Sequence, residues 1–137
     1  MAEFEAVKAQ MPEVVRRRCQ FILEENQRVL DLAAPLAEND GHKLKEMFSA
    51  SYFGARDLYE ISTPAMEEMY RSMMNASGVV AARQAGAGFG GCMVALVRPE
   101  KVNQFSASVV NEYKQRTKVD AEIYAVQASA GASIIQN

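Results

Sequence analysis

The stretch AARQAGAGFGGCMVALV, residues 81–97, limits what this chain can fold into more than any other. Gly86, Gly88, Gly90 and Gly91 crowd into it, Gly78 lies just upstream, and apolar runs lead in and out. Residues 86–91 also fit G-x-G-x-x-G. The dinucleotide-binding use of that pattern needs a helix opening at the loop, so that the helix N-terminus meets the pyrophosphate. Here the following residues, CMVALV, are β-type, and no acidic residue ends a second parallel strand at the expected distance. A phosphate loop of the Gly-Lys-Ser/Thr kind is excluded as well, because no such triplet follows. The spacing therefore predicts a glycine-rich hairpin joining two antiparallel strands, 79–84 and 92–98. A tight turn alone needs only one or two glycines for positive φ. The excess predicts close approach of another backbone or a ligand, with amides left free to face an anion. On that reading Gly88→Ala, at a backbone position compatible with alanine, leaves the melting temperature nearly unchanged and weakens docking of a partner.

The rest of the chain places this hairpin in the second half of an α+β protein. Val15, Cys19, Ile22, Leu23, Val29, Leu30 and Ala33 recur near a helical period, which predicts an amphipathic helix over 13–33. The polar residues of EENQR fill its other face. Pro35 predicts a kink or break nearby. ENDG reads as a turn, and Asp40 as the cap of a helix over 43–53 with Leu44, Met47, Phe48 and Tyr52 inward. RDLYEIST reads as irregular. Thr63 and Pro64 then form a helix-start signal. The helix over 64–76 sets Met66, Met69, Tyr70, Met73 and Met74 on one side, a stripe read as core. Gly78 reads as its C-terminal cap. Pro99 opens a last helix through about 115, with Val102, Phe105, Val109 and Tyr113 as its face, and 121–127 (AEIYAVQ) reads as a third strand. Helices first and strands later indicate α+β with an antiparallel sheet covered by helices. At 137 residues, and with no linker or repeat, the chain reads as a single domain, 1–137.

Charge and cysteine usage remove several functions. A net charge of −2 with a pI near 5.5 gives no general attraction to nucleic acid or to an anionic membrane. Arg16, Arg17 and Arg18 form the one basic cluster, read as a solvated helix face or a partner-facing patch. No apolar run approaches the ~20 residues needed to cross a bilayer, and the N-terminus lacks the order of a signal peptide. Cys19 and Cys92 lie far apart without metal spacing, which fits a reducing cytoplasm. His42 is the single histidine and falls in a turn, so neither a histidine metal site nor a histidine-based triad is supported. Asp57, Glu60 and Glu67 read as caps or solvated charges rather than metal ligands. The sequence offers no catalytic residue and no metal site.

In combination these segments resemble the galactokinase-type GHMP kinases. AARQAGAGFGGCMVALV is similar to their third motif, Gly-Ser/Ala-Arg-Met-Thr-Gly-Gly/Ala-Gly-Phe-Gly-Gly-Cys. RRRCQFILEENQRVLDLA resembles the stretch containing their Glu-Asn-x-Arg-Val element. SASYFGARDLYEISTPAMEEM resembles the segment Ser-His-x-x-Leu-Arg-Asp-x-Tyr-Glu-Val-Ser-x-Pro-Glu-Leu-Asp, and VVNEYKQRTKVDAEIYAVQASAGA resembles their C-terminus. The likeness runs over about residues 13–135. Missing are the Gly-Glu-His-Thr-Asp sugar signature, the Pro-x-x-x-Gly-Leu-Ser-Ser-Ser-Ala phosphate loop and the catalytic Asp and Arg of the family's N-terminal part. The resemblance thus implies the ferredoxin-like C-terminal domain alone, with a helical N-terminal half.

It also implies that Arg83, Gly86, Gly88, Phe89, Gly90 and Gly91 line or support the ATP-phosphate site of a complete enzyme, against its phosphate loop. Ala85 stands where the family has Thr or Ser, Gln84 where it has Met, and Tyr52 where it has His. The complete enzyme would transfer phosphate from ATP, with Mg²⁺, to galactose or a related sugar. This chain alone is expected to be inactive and to bind no cofactor, because phosphoryl transfer needs a charged cradle it lacks. The expected partner is an N-terminal GHMP kinase half, in cis or in trans. The alternative is a free-standing, non-catalytic relic that binds a partner or forms a homodimer, with the methionine stripe and Phe89 partly exposed. Neither reading involves nucleic acid or a membrane, and both place the protein in the cytoplasm.

Overall fold

A computed structural model describes residues 1–129, Gly131 and Ile134. The first half is helical: α1 (Ala2–Val7), α2 (Glu13–Asp31), α3 (Ala33–Ala37), α4 (Gly41–Asp57) and α5 (Pro64–Asn75). Then come β1 (Val79–Gln84), β2 (Met93–Val97) and α6 (Val102–Thr117), with single 3₁₀ turns at Lys8–Gln10 and Pro99–Lys101. The α+β class expected from the sequence is what forms.

Local chemistry sets most boundaries. The ring of Pro35 would collide with the carbonyl four residues back, that of Asp31, and α2 ends at Asp31. Asp40 caps α4 by accepting the Lys43 amide at 2.9 Å, and Thr63 caps α5 by accepting the Met66 amide at 3.3 Å. Pro64 occupies the first turn of α5, where no amide hydrogen is needed. α4 runs on to Asp57, past the expected end at 53, so the irregular linker is only 58–63. Lys118 closes α6 in the left-handed region, at φ +62°.

β1 and β2 pair antiparallel, Ala82 opposite Ala95 and Gln84 opposite Met93. The register slips between Val79 and Ala81, so one extra residue, Val80, sits in β1. That bulge lets Val79 and Ala82 face the same side although they are three apart. There they meet Met73, Phe105 and Val109 from α5 and α6 in the main core. The other side of β1 packs on α4, its most extensive neighbour. Ala81 and Ala82 are 0% and 1% exposed because helices cover both faces. The methionine stripe is core: Met66 and Met73 are buried, while Met69, Tyr70 and Met74 pack against the cluster. Met69, Tyr70 and Met74 remain partly exposed, as does Phe89.

Two further readings need correction. Residues 121–127 do not form a third strand; among the described residues the sheet has only β1 and β2. Ile123 alone packs on the core, and Tyr124 and Val126 are exposed. β-type residues suit a pleated surface, but a strand also needs an edge within reach. The second correction concerns α2. Its buried side carries Phe21, which meets Ala55 and Ile61 with Leu58 and Tyr59 beside them. Its apolar residues Val15, Ile22, Val29 and Leu30 stand exposed.

Candidate functional site

Residues 85–92 join the two strands as a hairpin, and the ladder runs one rung further, from the Ala85 amide to the Cys92 carbonyl at 2.9 Å. Beyond that rung the backbone enters the left-handed side: Gly86 at φ +86°, Gly88 at +82°, Phe89 at +58°, Gly90 at +124° and Gly91 at +96°. Ala85 and Ala87 stay out of that region. Over 85–88 positive φ alternates, at Gly86 and Gly88, with residues outside that region. The amides of Gly86, Ala87, Gly88 and Gly91 meet no acceptor among the described residues. Phe89 stands 72% exposed at the tip.

The middle of the hairpin is tied down. The Phe89 amide donates to the Ile61 carbonyl at 2.7 Å, and the Gly90 amide to the Met66 thioether at 3.3 Å. A Cβ on Gly88 would stand 2.4 Å from the Ile61 oxygen and 2.6 Å from the Ile61 Cβ. Close approach is therefore real, but the approaching backbone belongs to this chain. The expectation that Gly88 tolerates alanine is overturned, since φ is positive and the space is filled. Gly86, Gly90 and Gly91 have nothing within 4 Å of the corresponding position. These three, with Phe89, form the open side of the loop.

What positions Ile61 is the arginine run. Arg17 and Arg18 both bind the Glu60 carboxylate, at 2.8 and 2.7 Å, and Arg17 also donates to the Asp57 carbonyl at 3.2 Å. Glu60 itself sits at φ +60°. Two guanidiniums hold the linker in this conformation, which is uncommon for a residue with a side chain. Arg16 instead pairs with Glu13. The basic cluster thus ties α2 to the linker, and the linker ties down the hairpin. No local pattern marks Glu60 or Ile61 as positioning residues; their place within the family-like segment DLYEIS was the one available signal.

Arg83 serves a neighbouring network rather than the loop itself. It donates to Glu25 at 3.0 Å and to the Gln84 carbonyl at 3.2 Å. The same Glu25 carboxylate accepts Ser51 Oγ at 2.7 Å and Arg28 at 2.8 Å. A half-buried carboxylate so links α2, α4 and the end of β1. Gln84 is buried with no partner for its Oε1. Tyr52 is 1% exposed and stacks on Tyr70 with ring centroids 3.6 Å apart. Burial pushes the Tyr52 phenol above its ordinary range.

No Lys, Ser or Thr lies in 85–92. Among the described residues no group of three or more His, Cys, Asp or Glu is placed to hold a metal. His42 is exposed in the first turn of α4. Cys19 and Cys92 are free thiols. No described helix is long and apolar enough to cross a membrane. What the hairpin offers chemically is a set of amides and an exposed aromatic ring, held on a fixed base.

Both the fold and this hairpin define a kinase C-terminal domain: residues 32–115 match the family GHMP kinases C terminal, and the chain belongs to that family. The relatives it matches include galactokinases, and it is a galactokinase-like member. It is 38% identical over 118 residues to the galactokinase of Actinobacillus succinogenes, covering 84% of this chain and 30% of that protein. It is 31% identical over 120 residues to the galactokinase of Bacillus subtilis, covering 88% of this chain and 31% of that one. The crystal structure of Lactococcus lactis galactokinase complexed with galactose superimposes with a TM-score of 0.82 at 28% identity, over 90% of this chain and 32% of that chain. The chain thus spans less than a third of the length of these proteins.

Proposed function

We propose that this chain serves as the C-terminal domain of a sugar kinase that phosphorylates galactose or a close relative with ATP and Mg²⁺. The observation carrying this reading is the hairpin. The amides of Gly86, Ala87, Gly88 and Gly91 are unpaired among the described residues, and Gly86, Gly90 and Gly91 border open space beside the exposed Phe89. Free backbone amides suit phosphate oxygens, or the backbone of a phosphate-binding loop. Gly88 acts differently, fixing the hairpin to Ile61, and Arg83 braces the strand that leads into it. Mg²⁺ coordination and the catalytic base fall to an N-terminal kinase half, in cis or in trans. When bound, ATP would supply the transferred phosphoryl group; this chain's part is to shape one wall of that site. In this reading the protein works in the cytoplasm.

The test is a coupled assay on the purified chain, with galactose and Mg-ATP, with and without a separately expressed N-terminal galactokinase half. The expected result is no turnover alone and turnover on mixing. Activity that co-purifies with the chain alone contradicts the proposed division of labour. Failure of every tested N-terminal half to bind favours the second reading, a non-catalytic interaction module, which the exposed apolar residues of α2 support.

A further inference from the structure

Glu60 stands where a helix end commonly places glycine. α4 stops at Asp57, and the chain turns away from it at Glu60 with φ +60°. A left-handed residue just past a helix end is usually glycine, because a Cβ there costs energy. Glutamate is held in that conformation by what its carboxylate touches. Arg17 and Arg18 of α2 both donate to it, at 2.8 and 2.7 Å. Arg17 also donates to the Asp57 carbonyl at 3.2 Å, and the Arg18 guanidinium lies 5.3 Å from the centre of the Tyr59 ring. Cations at the end of α4 meet the negative pole of its dipole as well. The neighbouring arginines so grip Asp57, Tyr59 and Glu60 within one turn.

What this grip sets is the residue that follows. The Ile61 amide donates back to the Ala55 carbonyl at 3.1 Å, and its side chain is buried against Phe21 and Ala55. Its carbonyl accepts the Phe89 amide at 2.7 Å. Gly88 packs against the same residue with no room for a methyl. Phe89 is itself at φ +58°, so two uncommon backbone conformations are joined through one hydrogen bond. The amides of Ala87, Gly88 and Gly91 around it have no acceptor among the described residues. Apart from the Gly90 contact with Met66, the tie to Ile61 is what fixes the middle of the hairpin.

We propose that Glu60 is a positioning residue for the hairpin: with Arg17 and Arg18 it forms a charged catch on α2 that sets Ile61, and through Ile61 the pose of residues 88–90. When the catch opens, linker and hairpin let go together. In the kinase proposed above the catch sets how firmly one wall of the phosphate site stands, and this consequence alone rests on that reading.

Amide hydrogen exchange on the full, isotope-labelled chain reads the catch without any kinase assay, so its outcome is independent of the mixing experiment. In the parent the Phe89 amide exchanges far more slowly than those of Ala87 and Gly88 beside it. Glu60→Gln keeps the length of the side chain and removes its charge. Phe89 then exchanges about 10-fold faster, the scale of losing two partly exposed ion pairs. In a chain already carrying Arg17→Gln and Arg18→Gln, the same Glu60→Gln changes Phe89 exchange by less than about 2-fold, because its partners are gone. Val109→Ala weakens the main core instead and leaves Phe89 exchange at the parent value, since Phe89 is released by local opening. A parent Phe89 amide as fast as that of Ala87 overturns the proposal, and so does a Glu60→Gln effect that is absent or is equal with and without the arginines. Loss of Phe89 protection in Val109→Ala matching that in Glu60→Gln also overturns it, because Phe89 would then report unfolding of the whole chain.

Discussion

Replacing Gly88 by alanine separates two roles a glycine can have. The backbone there lies at φ +82°, where an L side chain costs about 1–2 kcal/mol. The added methyl would also stand 2.4 Å from the Ile61 carbonyl oxygen, more than an ångström inside ordinary contact. Forcing a methyl into filled space costs about 1–3 kcal/mol. The hydrogen bond from Phe89 to Ile61 strains with it, worth about 1 kcal/mol. Together the expected loss is about 3–6 kcal/mol. Gly86→Ala is the control: its φ is nearly the same, +86°, but nothing lies within 4 Å of its Cβ position. It carries the first cost only. At about 3 °C per kcal/mol for a chain of this size, Gly88→Ala melts some 6–12 °C below Gly86→Ala when both are followed by circular dichroism. Melting points within about 2 °C of each other refute the reasoning, because the two differ only in what surrounds the methyl.

Gln84→Met removes a buried amide oxygen that has no partner and keeps nearly the same volume. It is expected to stabilise the fold by about 1–2 kcal/mol in urea denaturation, and an unchanged or lower midpoint denies that Oε1 is unsatisfied. Burial raises the Tyr52 pKa, so the fold favours the neutral phenol. Its contribution is whole below the unfolded value near 10 and is lost as pH climbs through the folded one. Denaturation midpoints between pH 9 and 12 are therefore expected to fall more steeply in the parent than in Tyr52→Phe, and parallel slopes count against a buried phenol.

Those features that local chemistry decides were legible before the structure. Asp40, Thr63 and Pro64 act through atoms only a few residues away, and the helices begin where they place them. β1 and β2 were readable because dense glycine between apolar runs leaves few alternatives to a hairpin. Long-range pairings were not legible. Periodicity makes α2 amphipathic, and an apolar stripe is ordinarily the side that faces a core. Here the inward side is Phe21, Arg17 and Arg28, because their partners, Ile61, Glu60 and Glu25, are supplied largely by other segments. The third strand failed for a related reason: AEIYAVQ has the right residues, and no sequence pattern reports whether a sheet edge awaits them. At the hairpin, glycine density signalled crowding but could not name Ile61 as the neighbour.

The tie to Ile61 also governs how this hairpin can change in length. A free glycine loop accepts inserted residues at little cost, since closure entropy grows only with the logarithm of length. This crossing is fastened partway, at 88–90, and is therefore two unequal spans. On the β1 side, residues 85–87 border open space at Gly86 and have slack to absorb an extra residue. On the β2 side only Gly91 and Cys92 reach from the fastening to the last rung, so that span is the shorter one. Insertions and deletions among homologous hairpins should accumulate before the fastening rather than after it.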